Sequence, residues 1–147
     1  MLQRITHTDD SKTTLLIRLM TGAVFLSEGI QKFLYPNSLG VGRFIKIGIP
    51  YPEYLAPFVG GIEIMGGILL LIGLFTRIGS FLLFINICVA ILTTKFPLLQ
   101  NSFWTFAHES RTDFSMFIGT LFLCIKGGGY WSVDFKRMKH GKAKRRR

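Results

Sequence analysis

Four long apolar runs alternate with polar or breaker-rich segments along the chain, at about 13–34, 54–75, 77–96 and 112–128. Each falls within the roughly 17 to 25 residues that a membrane-crossing helix needs. The run at 54–75, YLAPFVGGIEIMGGILLLIGLF, is the most uniform and contains a single ionised group, Glu63. Within it Gly60, Gly66, Gly67 and Gly73 recur at helical spacing, which predicts a smooth stripe where another helix can approach closely. The connection 35–53 is broken by Pro36, Gly40, Gly42, Pro50 and Pro52, which forbid one continuous helix. Between these breakers GRFIKIG reads either as a short helix lying on the membrane surface or as a lid over the bundle mouth. Thr76 and Arg77 leave only a tight turn before the third run, so the second and third helices should be antiparallel neighbours. The segment 97–110, with Phe103, Trp104 and Phe106, suits an interfacial connection, and Thr112 or Asp113 would cap the last helix. Gly127, Gly128 and Gly129 stop that helix. The expected fold is an all-α membrane protein, an antiparallel bundle of four transmembrane helices.

Composition sharpens this picture. Of 147 residues, 49% are hydrophobic, 14% are aromatic and 16 are glycine, more apolar surface than a soluble domain of this size needs. The polar residues 1–13 lack the small-residue cleavage pattern of a secretory signal, so the first span is expected to be retained. The formal charge of +10 comes largely from the tail, since eight of the eighteen Lys and Arg lie at 136–147. Arg4, Lys12, Arg77 and those tail cations fall on one side of the expected topology, while Arg43, Lys46, Lys95 and Arg111 fall on the other. By the positive-inside rule both termini are cytoplasmic. No groove-reading pattern is interleaved with the basic tail, so anionic lipid is favoured over nucleic acid as its partner.

The candidate chemistry centres on polar groups inside or beside apolar runs. A carboxylate near mid-bilayer costs ~2.5 to 3.5 kcal/mol on insertion scales, so Glu63 should face the bundle interior, protonated or paired with a cation. Glu28 and Lys32 form an i, i+4 pair at a similar depth, and His108, Glu109, Arg111 and Asp113 lie just before the fourth run. These seven residues are expected to gather in the outer half of the membrane, with Lys32 or Arg111 offsetting Glu63 and Glu109 able to pair with Arg111. Arg18 reads as a snorkelling cation or a functional group, Arg77 as a turn residue and Asn86 as an interhelical hydrogen-bond donor. Cys88 and Cys124 stand far apart in apolar runs with no CxxC, and small core residues account for both. Metal-ligand spacing, a nucleophile with its base, a phosphate-cradling loop and a haem, flavin or iron–sulfur ligand set are all missing from the sequence.

The segments RLMTGAVFLSEGIQKF, FIKIGIPYP, GGIEIMGGILLLIGLFTRIG, ESRTDFSMFIGTLFL and GGGYWSVDF, in this order and spacing, resemble the DoxX family of small bacterial membrane proteins. The resemblance implies a four-helix domain over residues 1–135, followed by a basic cytoplasmic tail at 136–147, in the bacterial cytoplasmic membrane. It carries over Arg18, Gly22, Glu28, Gly29, Lys32, Glu63, Gly66, Gly67, Arg77, Glu109, Arg111, Asp113 and Asp134 as pattern positions, and no catalytic residue. Relatives serve as a subunit of a thiosulfate:quinone oxidoreductase or join redox complexes, so redox partner proteins are implied. The leading expectation is a redox-system subunit that offers a quinone or similar lipid-soluble ligand a pocket near Glu63, with electrons supplied by a partner. The alternatives are a small-solute carrier or channel and a membrane scaffold. The glycine-lined faces also permit a homo-oligomer.

Overall fold

The computed structural model describes residues 8–100 and 102–144, and Arg4 and residues 145–147 of the basic termini lie outside that range. Six α-helices follow one another: α1 (Thr14–Leu34), α2 (Val41–Lys46), α3 (Pro52–Ile72), α4 (Thr76–Ala90), α5 (Phe103–Lys126) and α6 (Val133–Lys144). No strand occurs among the described residues. Helices α1, α3, α4 and α5 make the bundle, α2 packs across one end beside α3, and α6 follows the glycine turn at the other end. Among the described residues, two helices are long and apolar enough to cross a bilayer. These are Pro52–Ile72, with mean hydropathy 2.1, and Thr76–Gln100, with 2.0. α1 carries Arg18, Glu28 and Lys32, and α5 opens with His108, Glu109, Arg111 and Asp113, which lowers the hydropathy of both.

The bundle interior mixes small and polar residues with a core of Phe25, Leu70, Leu83, Ile87, Met116 and Leu123, and its outside is apolar. α1 buries Thr14, Arg18, Thr21, Gly22, Phe25 and Gly29 and presents Leu16, Leu19, Met20, Ile30 and Phe33 outward. α4 likewise buries Thr76, Gly79, Ser80, Leu83 and Ile87 and exposes Ile78, Phe81, Leu82, Ile85 and Val89. A soluble bundle places its apolar stripe inward, so this arrangement suits a hydrocarbon surrounding. The glycine stripe explains the closest contact. A Cβ on Gly29 would stand 2.7 Å from the Gly60 carbonyl oxygen, and one on Gly67 would stand 2.8 Å from that of Gly22. Backbone therefore meets backbone between α1 and α3, while Gly66 turns to the other side and receives Leu83 of α4.

Two boundaries differ from the sequence expectation. The last bundle helix begins at Phe103 rather than near 112, with Ser102 in extended conformation before it. FWTFAHES contains neither Gly nor Pro, so nothing stops the helix from starting a full two turns early, and Thr112 and Asp113 lie inside it instead of capping it. The third run, expected to end near 96, is α-helical only to Ala90 and then continues beyond 96 as a π-helical turn (Ile91–Lys95) and a 3-10 turn (Phe96–Gln100). Pro97 accounts for this change of pitch, because it lacks an N–H and its ring would clash with the carbonyl one α-turn back. The Thr93 and Thr94 hydroxyls donate to the Val89 and Ala90 carbonyls at 2.8 and 2.7 Å, holding the widened turn.

Candidate functional site

Glu63 is the buried centre of the polar groups, 6% exposed on the inner face of α3. Lys32 of α1 donates from Nζ to Glu63 Oε2 at 2.6 Å, and Asn86 of α4 donates from Nδ2 to Oε1 at 2.8 Å. One carboxylate thus ties three helices together, with both oxygens satisfied. Side-chain exposures of 13% and 7% place the Lys32–Glu63 pair largely out of water. Charge-assisted bonds of this length are the strong kind, provided both partners remain.

The triad forms part of the wall of a cavity of about 330 Å³. Val24, Phe25, Val59, Ile87 and Met116 give it apolar walls, and Glu28, Lys95, Glu109, Thr112 and Asp113 line it from α1, the π-turn and α5. Helix α2 also lines the cavity, contributing Arg43 and the buried Phe44. The π-turn brings Lys95 within 3.4 Å of Asp113, a cross-helix pair absent from the sequence expectation. Such turns often mark functional positions because they re-aim side chains.

Several expected pairings are corrected. Lys32 offsets Glu63 as expected, but it does so in place of the local pair with Glu28; Glu28 and Glu109 line the cavity as exposed carboxylates and form no ion pair among the described residues. Arg111 does not offset Glu63. It lies 3.1 Å from the His108 ring one turn earlier on an exposed face, and neither residue lines the cavity. Glu109 and Arg111 cannot meet on a helix, since positions i and i+2 point apart. Arg18 does not snorkel. It is 2% exposed and donates to the Leu70, Leu71, Gly128 and Trp131 carbonyls at 2.7 to 3.1 Å. Its guanidinium closes the C-terminal end of α3, where unsatisfied carbonyls collect. Asp134 completes that knot, accepting from the Phe75 and Thr76 N–H groups at 2.9 Å at the start of α4. Arg77 donates to the Ile125 carbonyl at 2.7 Å.

Cys88 and Cys124 are free thiols, and Cys124 lies beside Ser80, two helical turns along α4 from Cys88. Among the described residues no group of three or more His, Cys, Asp or Glu is arranged to hold a metal ion.

The DoxX family profile matches residues 13–95, which contain Arg18, Lys32, Glu63 and Asn86. The chain belongs to the DoxX family. An uncharacterised membrane protein of Mycobacterium tuberculosis is 44% identical over 95% of this chain and 90% of its own length. A Bacillus subtilis protein named CatD, whose name proposes an oxidoreductase, is 30% identical over 87% of this chain and 91% of its own. An uncharacterised Haemophilus influenzae protein is 29% identical over 84% and 89%. No solved structure matches the chain. Family and relatives agree with the apolar exterior in making this a DoxX membrane protein.

Proposed function

We propose that the protein crosses the membrane four times with both ends cytoplasmic, and that its cavity holds the polar head of a lipid-soluble ligand, a quinone, as the membrane subunit of a redox system. The observation that carries this reading is the Lys32–Glu63–Asn86 triad set beside the apolar residues Val24, Phe25, Val59, Ile87 and Met116 in the wall of one cavity. Lys32 has hydrogen-bond donors to offer a carbonyl oxygen, and Glu63 can pass or take the proton that accompanies quinone reduction. Glu28 and Glu109 at the cavity edge give that proton exposed acceptors toward the outside. The oxidoreductase proposed in the name of the Bacillus subtilis relative supports a redox role. Four spans are supported by the apolar outward faces of all four bundle helices, and the orientation by the basic tail. A cavity at Glu63 favours a ligand site over a pure scaffold, in which the helices would close around the carboxylate.

The test is equilibrium binding of a short-chain quinone to the detergent-purified protein. Wild type should bind saturably, and Glu63→Leu, which also strands Lys32, should lose at least about tenfold in affinity, the equivalent of one charge-assisted hydrogen bond. Equal binding by both proteins, or none by either, removes the quinone reading. Liposome uptake of a small solute that depends on Glu63 would replace it with the carrier.

A further inference from the structure

At the end of the bundle opposite the Glu63 cavity, the start of α4, the end of α5, α6 and residues 8–10 surround an open cleft of about 640 Å³. Ile125, Phe135 and Met138 make its apolar part, and Arg77, Lys126 and Lys139 bring the cations. Ile125 is 63% exposed on the outer face of α5, so the apolar part runs on into the side of the bundle that faces lipid. Lys139 is held at the edge, its Nζ 5.5 Å from the Tyr130 ring centre and 5.3 Å from that of Phe135. Arg77 spends Nη2 on the Ile125 carbonyl, and its Nε is buried without an acceptor. Asp9 and Asp10 also line the cleft, Asp9 bound to Lys126 at 3.1 Å, so three cations face two carboxylates. α6 tips the balance outside the cleft with Lys136 and Arg137, and the exposed Tyr130 and Trp131 mark the level of an interfacial aromatic belt.

We propose that this cleft is a headgroup site for an anionic phospholipid, the phosphate meeting Arg77 and Lys139 and the glycerol and upper acyl carbons lying on Ile125, Phe135 and Met138. A soluble phosphate would use the cations and leave the apolar part uncovered; a lipid uses both. The site is independent of the quinone reading and takes from it only the placement of this end at a bilayer surface. A cation close to a lipid surface contributes about 1 kcal/mol, or roughly fivefold in affinity.

The experiment is native mass spectrometry of the full chain in detergent, titrated with a phosphatidylglycerol or a phosphatidylcholine of matched acyl chains. The expected result is a preference for the anionic lipid that falls about fivefold in Lys139→Gln. Lys139 is exposed on α6, so its loss leaves the bundle intact. Truncation after residue 140 should keep the preference, Lys46→Gln at the far end should not change it, and equimolar inorganic phosphate should not displace the lipid. Equal retention of the two lipids, an unchanged preference in Lys139→Gln, loss on truncation, or displacement by free phosphate would each overturn the proposal, the last in favour of a soluble-anion site.

Discussion

Replacing Lys32 by methionine preserves most of the side chain's volume and removes the cation that sits 2.6 Å from Glu63. With side-chain exposures of only 13% and 7%, water can replace little of what is lost. Removing one partner of a buried pair costs about 3 to 5 kcal/mol, because the other charge stays behind without compensation. Asn86 keeps its 2.8 Å bond to the second carboxylate oxygen, so the lower figure, about 3 kcal/mol, is expected. Glu63→Leu strands the ammonium instead and should cost a similar amount. The double variant Lys32→Met/Glu63→Leu removes both charges and should be more stable than either single variant, with a coupling of about 3 kcal/mol or more. Reversible unfolding in mixed micelles measures all three against wild type. Two single variants that each cost under about 0.5 kcal/mol and simply add would show that the pair is solvated and the triad is no organising centre.

Three further outcomes test other parts of the structure. Gly67→Ala places a Cβ 2.8 Å from the Gly22 carbonyl oxygen and should cost about 1 to 3 kcal/mol by forcing α1 and α3 apart, whereas Gly61→Ala, which points into open space, should be neutral or slightly stabilising in the same unfolding assay. Arg18→Leu leaves four carbonyls without their donor and should cost about 3 kcal/mol or more, with faster amide exchange around residues 70–76; exchange confined to wild-type rates would contradict it. The Lys126 hydrogen bond holds the Asp9 carboxyl below its usual range, so the pair stabilises the 8–10 arm above the ordinary aspartate pKa and releases it as pH falls through the depressed value. The protection factor of the Asp9 amide, whose N–H donates to the Lys126 carbonyl at 2.9 Å, should therefore fall in acid in wild type and show no such step in Lys126→Met.

Much of the bundle was legible because its signals are local. A glycine every three, four or seven positions marks a close-packed face wherever its partner lies, and a lone carboxylate in an apolar run must turn inward, so α3 and Glu63 were readable from one stretch. Lys32 was readable as a partner by depth alone, and Asn86 as an interhelical donor. The misreadings have the opposite character. Arg18 looks like a snorkelling residue because it sits near a helix start, and its acceptors lie 52 to 113 positions away in sequence. The Lys95–Asp113 pair depends on a π-turn that no side-chain period announces. The early start of α5 was hidden by aromatic residues that suit an interface as well as a helix. Depth along a helix can be counted from spacing, but rotation about its axis is fixed by neighbours, and this is why His108 and Arg111 share the depth of the cavity without facing it.

The most direct measurement of the central claim is photocrosslinking with a quinone that carries a photoreactive group on its ring, followed by peptide mapping of the labelled protein in membranes. The account predicts label on cavity-lining segments, around Val24–Lys32, Val59–Glu63, Asn86–Lys95 and Glu109–Met116, that disappears with excess unlabelled quinone and in Glu63→Leu. Label spread over lipid-facing positions such as Phe81, Leu82 and Ile118, undiminished by competitor, would contradict it.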